Sequence, residues 1–111
     1  MARSTRAIFR NSQGRTRHNF NWDAISQDRA VLITAAMFQF SGGIFGAEGR
    51  PVLGSEGQEP NVYVTNIGPH GKPGGEAGGV EFLLHTESNS PVDVMVTFTA
   101  FDPVEGVDVF G

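Results

Sequence analysis

The stretch from Pro91 to Phe101 constrains the fold of this chain more than any other. Apolar side chains occupy every second position along one of its faces: Val92, Val94, Val96, Phe98 and Ala100. A period of two, carried by β-branched and aromatic residues, predicts a strand with one buried face. Gly79 to Glu87 has the same character, and residues 88–90 between the two stretches are typical of a turn. We therefore predict one β-hairpin over residues 79–103, with the following residues in the core: Phe82, Leu84, Val94, Val96 and Phe98.

Alternation of the same kind predicts further short strands. They cover residues 5–10, 18–23 and 61–67, with a last edge strand at 104–111. Residues 29–41 are apolar on both faces under a period of two, which predicts a central strand covered on both sides. A helix capped by Ser26 is the alternative for this stretch. We favour the strand because the stretch contains good strand formers and ends at a Gly-Gly pair.

Glycine and proline content indicates the class of fold. The 111-residue chain contains 15 glycines and six prolines, which implies many turns and long loops. Two glycine-rich stretches, residues 42–60 and 68–79, are the longest predicted loops. We predict an all-β domain, a small antiparallel β-sandwich or jelly-roll-like barrel of six to seven strands. The absence of cysteine excludes disulfides and thiolate metal sites.

Charge is distributed unevenly along the chain. Residues 1–20 contain five arginines and no acid, a net charge of +5. Residues 21–111 contain three basic residues and all twelve acids, a net charge of −9 within the overall −4. The sequence therefore divides into a basic N-terminal arm, 1–20, and a single acidic β-sandwich domain, 21–111.

The glycine-rich loop at 68–79 does not match a phosphate-binding loop. Lys72 is followed by Pro73 rather than by Ser or Thr, and the loop leads into a strand rather than into a helix. The chain also has no G-x-S-x-G motif for a serine nucleophile. We predict no catalytic residue, no cofactor and no enzymatic activity.

The histidines give no clear metal-binding pattern. His18, His70 and His85 each stand apart, without a second histidine at ligand spacing. Alternation places His85 on one strand face with Glu81 and Glu87, which is the only candidate ladder for a cation. A solvated sheet face explains those residues better, and we predict no metal site.

The basic arm is the main candidate for intermolecular contact. Its predicted contact residues are the five arginines and one aromatic residue: Arg3, Arg6, Phe9, Arg10, Arg15 and Arg17. The arm has the charge needed for nucleic acid, but the acidic body repels a polyanion, so we do not predict that partner. Acidic surface on a second copy of the chain is the preferred partner.

These features predict a non-enzymatic structural or interaction module that self-associates through its basic arm and exposed sheet edges. The general architecture resembles small β-sandwich lectins and accessory domains of virions and injection machines, an analogy of fold alone. The alternative function is carbohydrate binding, with four candidate residues: Trp22, Tyr63, His70 and Lys72. The sequence predicts neither a signal peptide nor a membrane segment, which with the missing cysteines favours cytoplasmic synthesis or association with a virion.

Overall fold

A computed structural model describes residues 1–42, 48–74 and 78–111. Within these residues the chain is all-β, with seven strands in two antiparallel sheets and no helix. The strands are β1 (Arg3–Ser12), β2 (Gly14–Asn21), β3 (Arg29–Gly42), β4 (Glu48–Val52), β5 (Asn61–His70), β6 (Gly79–Glu87) and β7 (Val92–Pro103).

The strands divide into a four-stranded and a three-stranded sheet. Sheet A has the order β1-β7-β3-β4, and sheet B has the order β2-β6-β5. A single residue, Gln13, joins β1 of sheet A to β2 of sheet B. Asn11 and Gly14 on either side of it have positive φ angles of 54° and 71°, which is how the chain changes sheet within so few residues.

The predicted hairpin over residues 79–103 is wrong. Both stretches are strands, but β6 pairs with β2 and β5 in sheet B, while β7 pairs with β1 and β3 in sheet A. Each is flanked by partners on both sides, and its inner face is apolar except for Thr86 near the end of β6. Strands of this kind bury more surface when they face each other across a core than when they pair edge to edge. The connector at residues 88–91 therefore crosses between sheets.

The predicted core residues are all confirmed. Phe82, Leu84, Val94, Val96 and Phe98 are buried, and they form one cluster with residues from both sheets. The ring of Phe20 on β2 stacks on that of Phe98 on β7, with centroids 4.2 Å apart. Two buried hydroxyls from opposite sheets, Ser12 and Thr86, lie 2.6 Å apart and satisfy each other.

Residues 29–41 form a strand, as predicted, and the helical alternative is excluded. The prediction that both faces of this strand are covered holds only in part. Ile33 faces the core, but Leu32 is 53% exposed because no described element packs on the outer face of sheet A there. Near the end of the strand Phe38 is buried, its ring in edge contact with that of Phe40 at 4.7 Å. A two-sided apolar pattern therefore does not require a second covering layer.

The two predicted glycine-rich loops are shorter than expected. The first contains β4, and β5 runs to His70 inside the second. Residues 43–47 and 75–77 of these loops lie outside the described part of the chain. The predicted edge strand at 104–111 is not formed, since β7 ends at Pro103 and the following residues belong to neither sheet.

The basic stretch at residues 1–20 is built into the sheets. β1 pairs with β7 from Arg3 to Ser12, and β2 pairs with β6 along its whole length. The predicted boundary after residue 20 falls at the end of β2, so the structure gives no separate arm. Its apolar stripe of Thr5, Ala7 and Phe9 is opposite Phe98, Val96 and Val94 of β7 and supplies one flank of the core.

Candidate functional site

The strands β1 and β2 end both sheets on the same side of the molecule. Within the described residues, no strand pairs with the outer edge of either one. The rings of Phe9 on β1 and His18 on β2 lie 4.5 Å apart between the sheets, which shows that the two edges are stacked. Each therefore presents a row of backbone N–H and C=O groups without a strand partner. We call the outer edges of β1 and β2, with their five arginines, the basic edge.

The arginines of the basic edge differ in their surroundings. Arg17 forms an ion pair with Glu81 of β6 at 3.0 Å, and Arg3 approaches Asp23 at 3.8 Å. Arg6 donates to the hydroxyl of Thr97 at 3.1 Å, and the guanidinium of Arg10 lies 4.5 Å from the ring centre of Phe40. The ion pairs among the described residues include neither of these last two arginines. Arg15 on β2 is likewise absent from these ion pairs, so β1 carries two arginines outside them and β2 carries one.

Two of the predicted aromatic site residues face the core instead of solvent. Phe9 packs against Phe82, with ring centroids 6.1 Å apart, so its apolar surface is used within the chain. Trp22 is half-buried against the core, and Arg3 covers its ring at 5.4 Å. The alternating pattern of the sequence places both residues on apolar faces. It does not show whether such a face packs within the chain or against another molecule.

The opposite side of the molecule has edges of a different kind. β4, at the far edge of sheet A, has only five residues and contains Pro51. β5, at the far edge of sheet B, contains Pro69 and a register shift between Thr65 and Gly68. Prolines, bulges and short length each prevent further strands from pairing. β1 also has a register shift, between Phe9 and Ser12, but it is longer than β4 and free of proline, so its part from Arg3 to Phe9 is open to strand addition.

The outward face of sheet B carries a network of polar side chains. We call it the polar face. The rings of Tyr63 and His85 stack in parallel with centroids 4.5 Å apart, and the Tyr63 hydroxyl donates to Glu87 at 2.8 Å. His85 Nε2 lies 2.7 Å from the hydroxyl of Thr65. His70 Nε2 lies 2.7 Å from Asn19 Oδ1 on the far strand of the sheet. Two predicted ligand residues, Tyr63 and His70, thus share one face.

The remaining two predicted ligand residues do not join them. Trp22 belongs to the core, as described above, and Lys72 lies exposed in the connector after β5. Sequence analysis missed Asn19, and it considered Arg17 and Glu81 only for other roles; these three residues bring hydrogen-bonding groups from two further strands to the polar face. Their alternation along β2 and β6 was visible, but only the strand order places them beside β5.

Hydrogen bonds shift the pKa values of Glu87 and Tyr63 on the polar face. Tyr63 and Asn61 both donate to Glu87, and these bonds lower the pKa of that carboxyl. The same bond from its own hydroxyl raises the pKa of Tyr63. In the candidate cation ladder, the carboxylate of Glu87 thus accepts hydrogen bonds from Asn61 and Tyr63, and that of Glu81 forms an ion pair with Arg17. Within the described residues no three such side chains gather as a metal site would require.

The segment of residues 104–111 is the most exposed apolar part of the molecule. Val107 is 83% exposed, Val109 92% and Phe110 91%. The N–H of Val104 donates to Asp28, and beyond this bond the segment lies outside both sheets. Isolated apolar residues on a surface are ordinary, but three within four residues are typical of an interaction site.

Comparison with known proteins gives no relative. No family model, curated protein or solved structure matches the chain. Among the described residues, none forms a helix with the length and apolar character needed to cross a membrane. The function must therefore be argued from the geometry of the basic edge, the polar face and the exposed segment.

Proposed function

We propose that this protein is a non-enzymatic structural subunit, an antiparallel β-sandwich that self-associates into a larger assembly of a virion-like or accessory structural kind. The observation that carries the proposal is the open basic edge. Ten residues of β1 and eight of β2 end the sheets without proline, while the opposite edges are blunted. Such an asymmetry directs association to one side of the molecule.

The dimensions of the chain support the same proposal. Its radius of gyration is 15.7 Å, compared with about 13 Å for a compact domain of this length. The exposed segment leaves its apolar side chains outside the core. Surface that a monomer does not bury is surface that a neighbouring subunit can cover.

Charge favours head-to-tail contact over symmetric contact. Two basic edges repel each other, so β1 of one copy disfavours β1 of another. Asp23 and Glu81 lie beside the basic edge, where they approach Arg3 and Arg17, while other acids of the body lie away from it, such as Glu48 on β4 at the far edge of sheet A. A basic edge that meets an acidic surface on the next copy gives a heterologous contact, which continues into rings or filaments.

Light scattering coupled to size-exclusion chromatography tests the proposal. The full chain should elute with a mass above its monomer mass of 11.9 kDa. Raising the salt to about 1 M, where the Debye length falls to about 3 Å, should slow assembly because steering by exposed charge is screened. A full chain that stays monomeric at high protein concentration and low salt would rule the proposal out.

Carbohydrate binding at the polar face is the second candidate. Tyr63, His70, Asn19 and Arg17 come from different strands to one surface. Amide, carboxyl and guanidinium groups of this kind pair with sugar hydroxyls, and an aromatic ring packs against a sugar face. A shallow depression on sheet B is lined by Arg15, Arg17, Asn66, Gly68 and Glu81.

Thermal unfolding in the presence of a panel of mono- and oligosaccharides tests this candidate. A rise in the unfolding temperature with one sugar, lost in Tyr63→Ala, supports carbohydrate binding. Leu32→Ala is the matched control, since Leu32 is exposed on the outer face of the other sheet. Equal unfolding temperatures with every sugar contradict it.

A further inference from the structure

The exposed segment has the sequence pattern of a strand without a partner. Along residues 104–111, Glu105, Val107 and Val109 alternate with Asp108 and Phe110. β-Branched and aromatic residues at this spacing favour an extended conformation that packs against a sheet. The segment lies outside both sheets and leaves Val107, Val109 and Phe110 almost fully exposed. Its sequence thus provides for a contact that the single chain does not make.

The open edge of β1 matches this segment in both faces. Ala7 and Phe9 point inward toward β7 and the core, while Arg6 and Arg10 lie on the outward face with exposed side chains. A strand added beside β1 places its own alternate residues on the same two faces. Val107 and Val109 then extend the apolar inner face, with Glu105 on the same face at the start of the segment, and Asp108 lies on the arginine face together with Phe110.

Charge selects β1 over β2 as the acceptor. Arg17 on β2 is already paired with Glu81 at 3.0 Å, so an added acid there meets a carboxylate as well as a guanidinium. On the outward face of β7 beside β1, the neighbours of Ser4 and Arg6 are the hydroxyls of Thr99 and Thr97. Around Arg6 the middle of β1 therefore offers positive charge without a competing acid, whereas at the end of β1 the carboxylate of Asp93 accepts from the N–H of Asn11.

We propose that residues 104–111 of one copy add as a strand to the open edge of β1 in a second copy. The donated strand extends sheet A by backbone hydrogen bonds, covers the apolar surface of Val107 and Val109, and pairs Asp108 with the arginines of β1. This inference rests on the proposed self-association and names its contact. Because donor and acceptor are different parts of the chain, each copy both gives and receives a strand.

Proline substitution tests the donated strand in the full chain without changing its charge. Val107→Pro combined with Val109→Pro removes two N–H groups and restricts the backbone, so the segment no longer completes a ladder. Both residues are exposed, and the fold of the single chain should be unaffected. We expect the oligomer seen by light scattering to fall to monomer mass, with an unchanged circular dichroism spectrum and unfolding midpoint.

A charge swap tests the pairing itself. The segment variant is Asp108→Arg, and the edge variant is Arg6→Asp with Arg10→Asp. Each alone places like charges together and should weaken association by about tenfold, the effect of one or two exposed pairs. An equimolar mixture should recover association, because the segment of each variant then meets a matched edge on the other.

Matched controls separate this contact from a general effect of charge. Glu59→Arg makes the same change in net charge as Asp108→Arg at another exposed position and should leave association unaltered. Arg15→Asp with Arg17→Asp places the reversal on β2 and should weaken association less than reversal on β1. If the β2 variant has the larger effect, the acceptor is not β1 and the inference is overturned.

The outcomes distinguish the inference from the function on which it rests. If the wild-type chain has the mass of a monomer, both the strand donation and the proposed self-association are ruled out. A wild-type oligomer that is insensitive to the proline pair, or a mixture that does not recover, leaves self-association standing and overturns the strand donation. A proline pair that lowers the unfolding midpoint without changing the mass shows that the segment pairs within its own chain, and this also overturns it.

Discussion

The two sides of this molecule handle the same problem, the unpaired edge of a sheet, in opposite ways. On the β4 and β5 side, short length, Pro51, Pro69 and a register shift interrupt the ladder. On the β1 and β2 side, the strands are long and free of proline, β1 has a single register shift after Phe9, and arginines lie along the open backbone. Prolines and bulges exclude every added strand. Arginines exclude basic strands and admit acidic ones.

This difference shows that charged residues which protect a sheet edge from unwanted pairing can also determine which strand is able to pair with it. A charge on an edge strand is normally interpreted as protection from aggregation. In this chain the same charges are compatible with a specific acidic partner, and residues 104–111 supply one. Specificity then comes from repulsion between like edges together with attraction of the unlike segment.

The largest expected effect tests whether both sides depend on one core. Phe98 is fully buried on β7, between the strands that lead to the two sides of sheet A. Phe98→Ala should lower the free energy of unfolding by about 3–5 kcal/mol, because it removes a buried ring and leaves a cavity. Denaturant unfolding measures the loss. Leu32→Ala, at an exposed position, should change it by no more than about 0.5 kcal/mol. A loss for Phe98→Ala as small as that of the control would mean that the two sides fold independently.

The next largest effect is a destabilisation that should be confined to the side of β4 and β5. Gly49 on β4 packs so closely on β3 that an added methyl group would lie 2.5 Å from the ring of Phe38. Gly49→Ala should cost about 1–3 kcal/mol, since either the ring or the backbone must move. Hydrogen exchange should accelerate in β3 and β4 and stay unchanged in β1. Gly106→Ala is the control, because nothing lies within 4 Å of its added methyl group. Equal acceleration in β1 would show that the sides are not separable.

Replacing the prolines of β4 and β5 should open these two edge strands to pairing, as β1 and β2 are open at the basic edge. Pro51→Thr with Pro69→Thr restores two backbone N–H groups on the outer strands. We expect additional association, seen as larger and less uniform particles by light scattering, with little change in monomer stability. The same substitutions combined with Val107→Pro and Val109→Pro separate association through the edges of β4 and β5 from association through the exposed segment. Particles of unchanged size would show that the prolines are not what blocks this edge.

Sequence analysis predicted the strands well because a period of two is a local property. It identified six of the seven strand positions, and the five core residues that it predicted are all buried. It failed at β4, where Glu48–Val52 has no alternation of apolar residues to mark it. It also failed at the pairing of β6 with β7, because two adjacent apolar strands are equally compatible with a hairpin and with opposite sheets.

The candidate sites show the same limit. The charge of residues 1–20 was plain from composition, but only the strand order shows that these residues end both sheets on one side. Phe9 and Trp22 were candidates because aromatic residues bind ligands as readily as they fill cores. Burial decides between the two roles, and burial depends on the partner strands, which the sequence does not name.

The smallest expected effect concerns the inside of the open side, where His18 lies between Phe9 and Phe82. Burial lowers the pKa of His18 below its ordinary 6.5, because the charged ring is poorly solvated there. As pH falls below 6.5, the unfolded chain takes up a proton that the folded chain does not, and the free energy of unfolding decreases. Above that pH this group has no effect.

Denaturant unfolding between about pH 7.5 and pH 5.5 measures this slope in the range where histidine titrates. The range stays above the region where Glu87 and Asp102, whose pKa values are lowered in the fold, lose their contribution on protonation. His18→Gln should flatten the slope, while His85→Gln, on the polar face, should leave it in place. Hydrogen-exchange protection, after correction for the slower intrinsic exchange at low pH, should also decrease in β1 and β2 before it decreases in β4 and β5. A slope that survives His18→Gln would show that the interior of the open side does not respond to pH, and the difference between the two sides would then lie only in their outer edges.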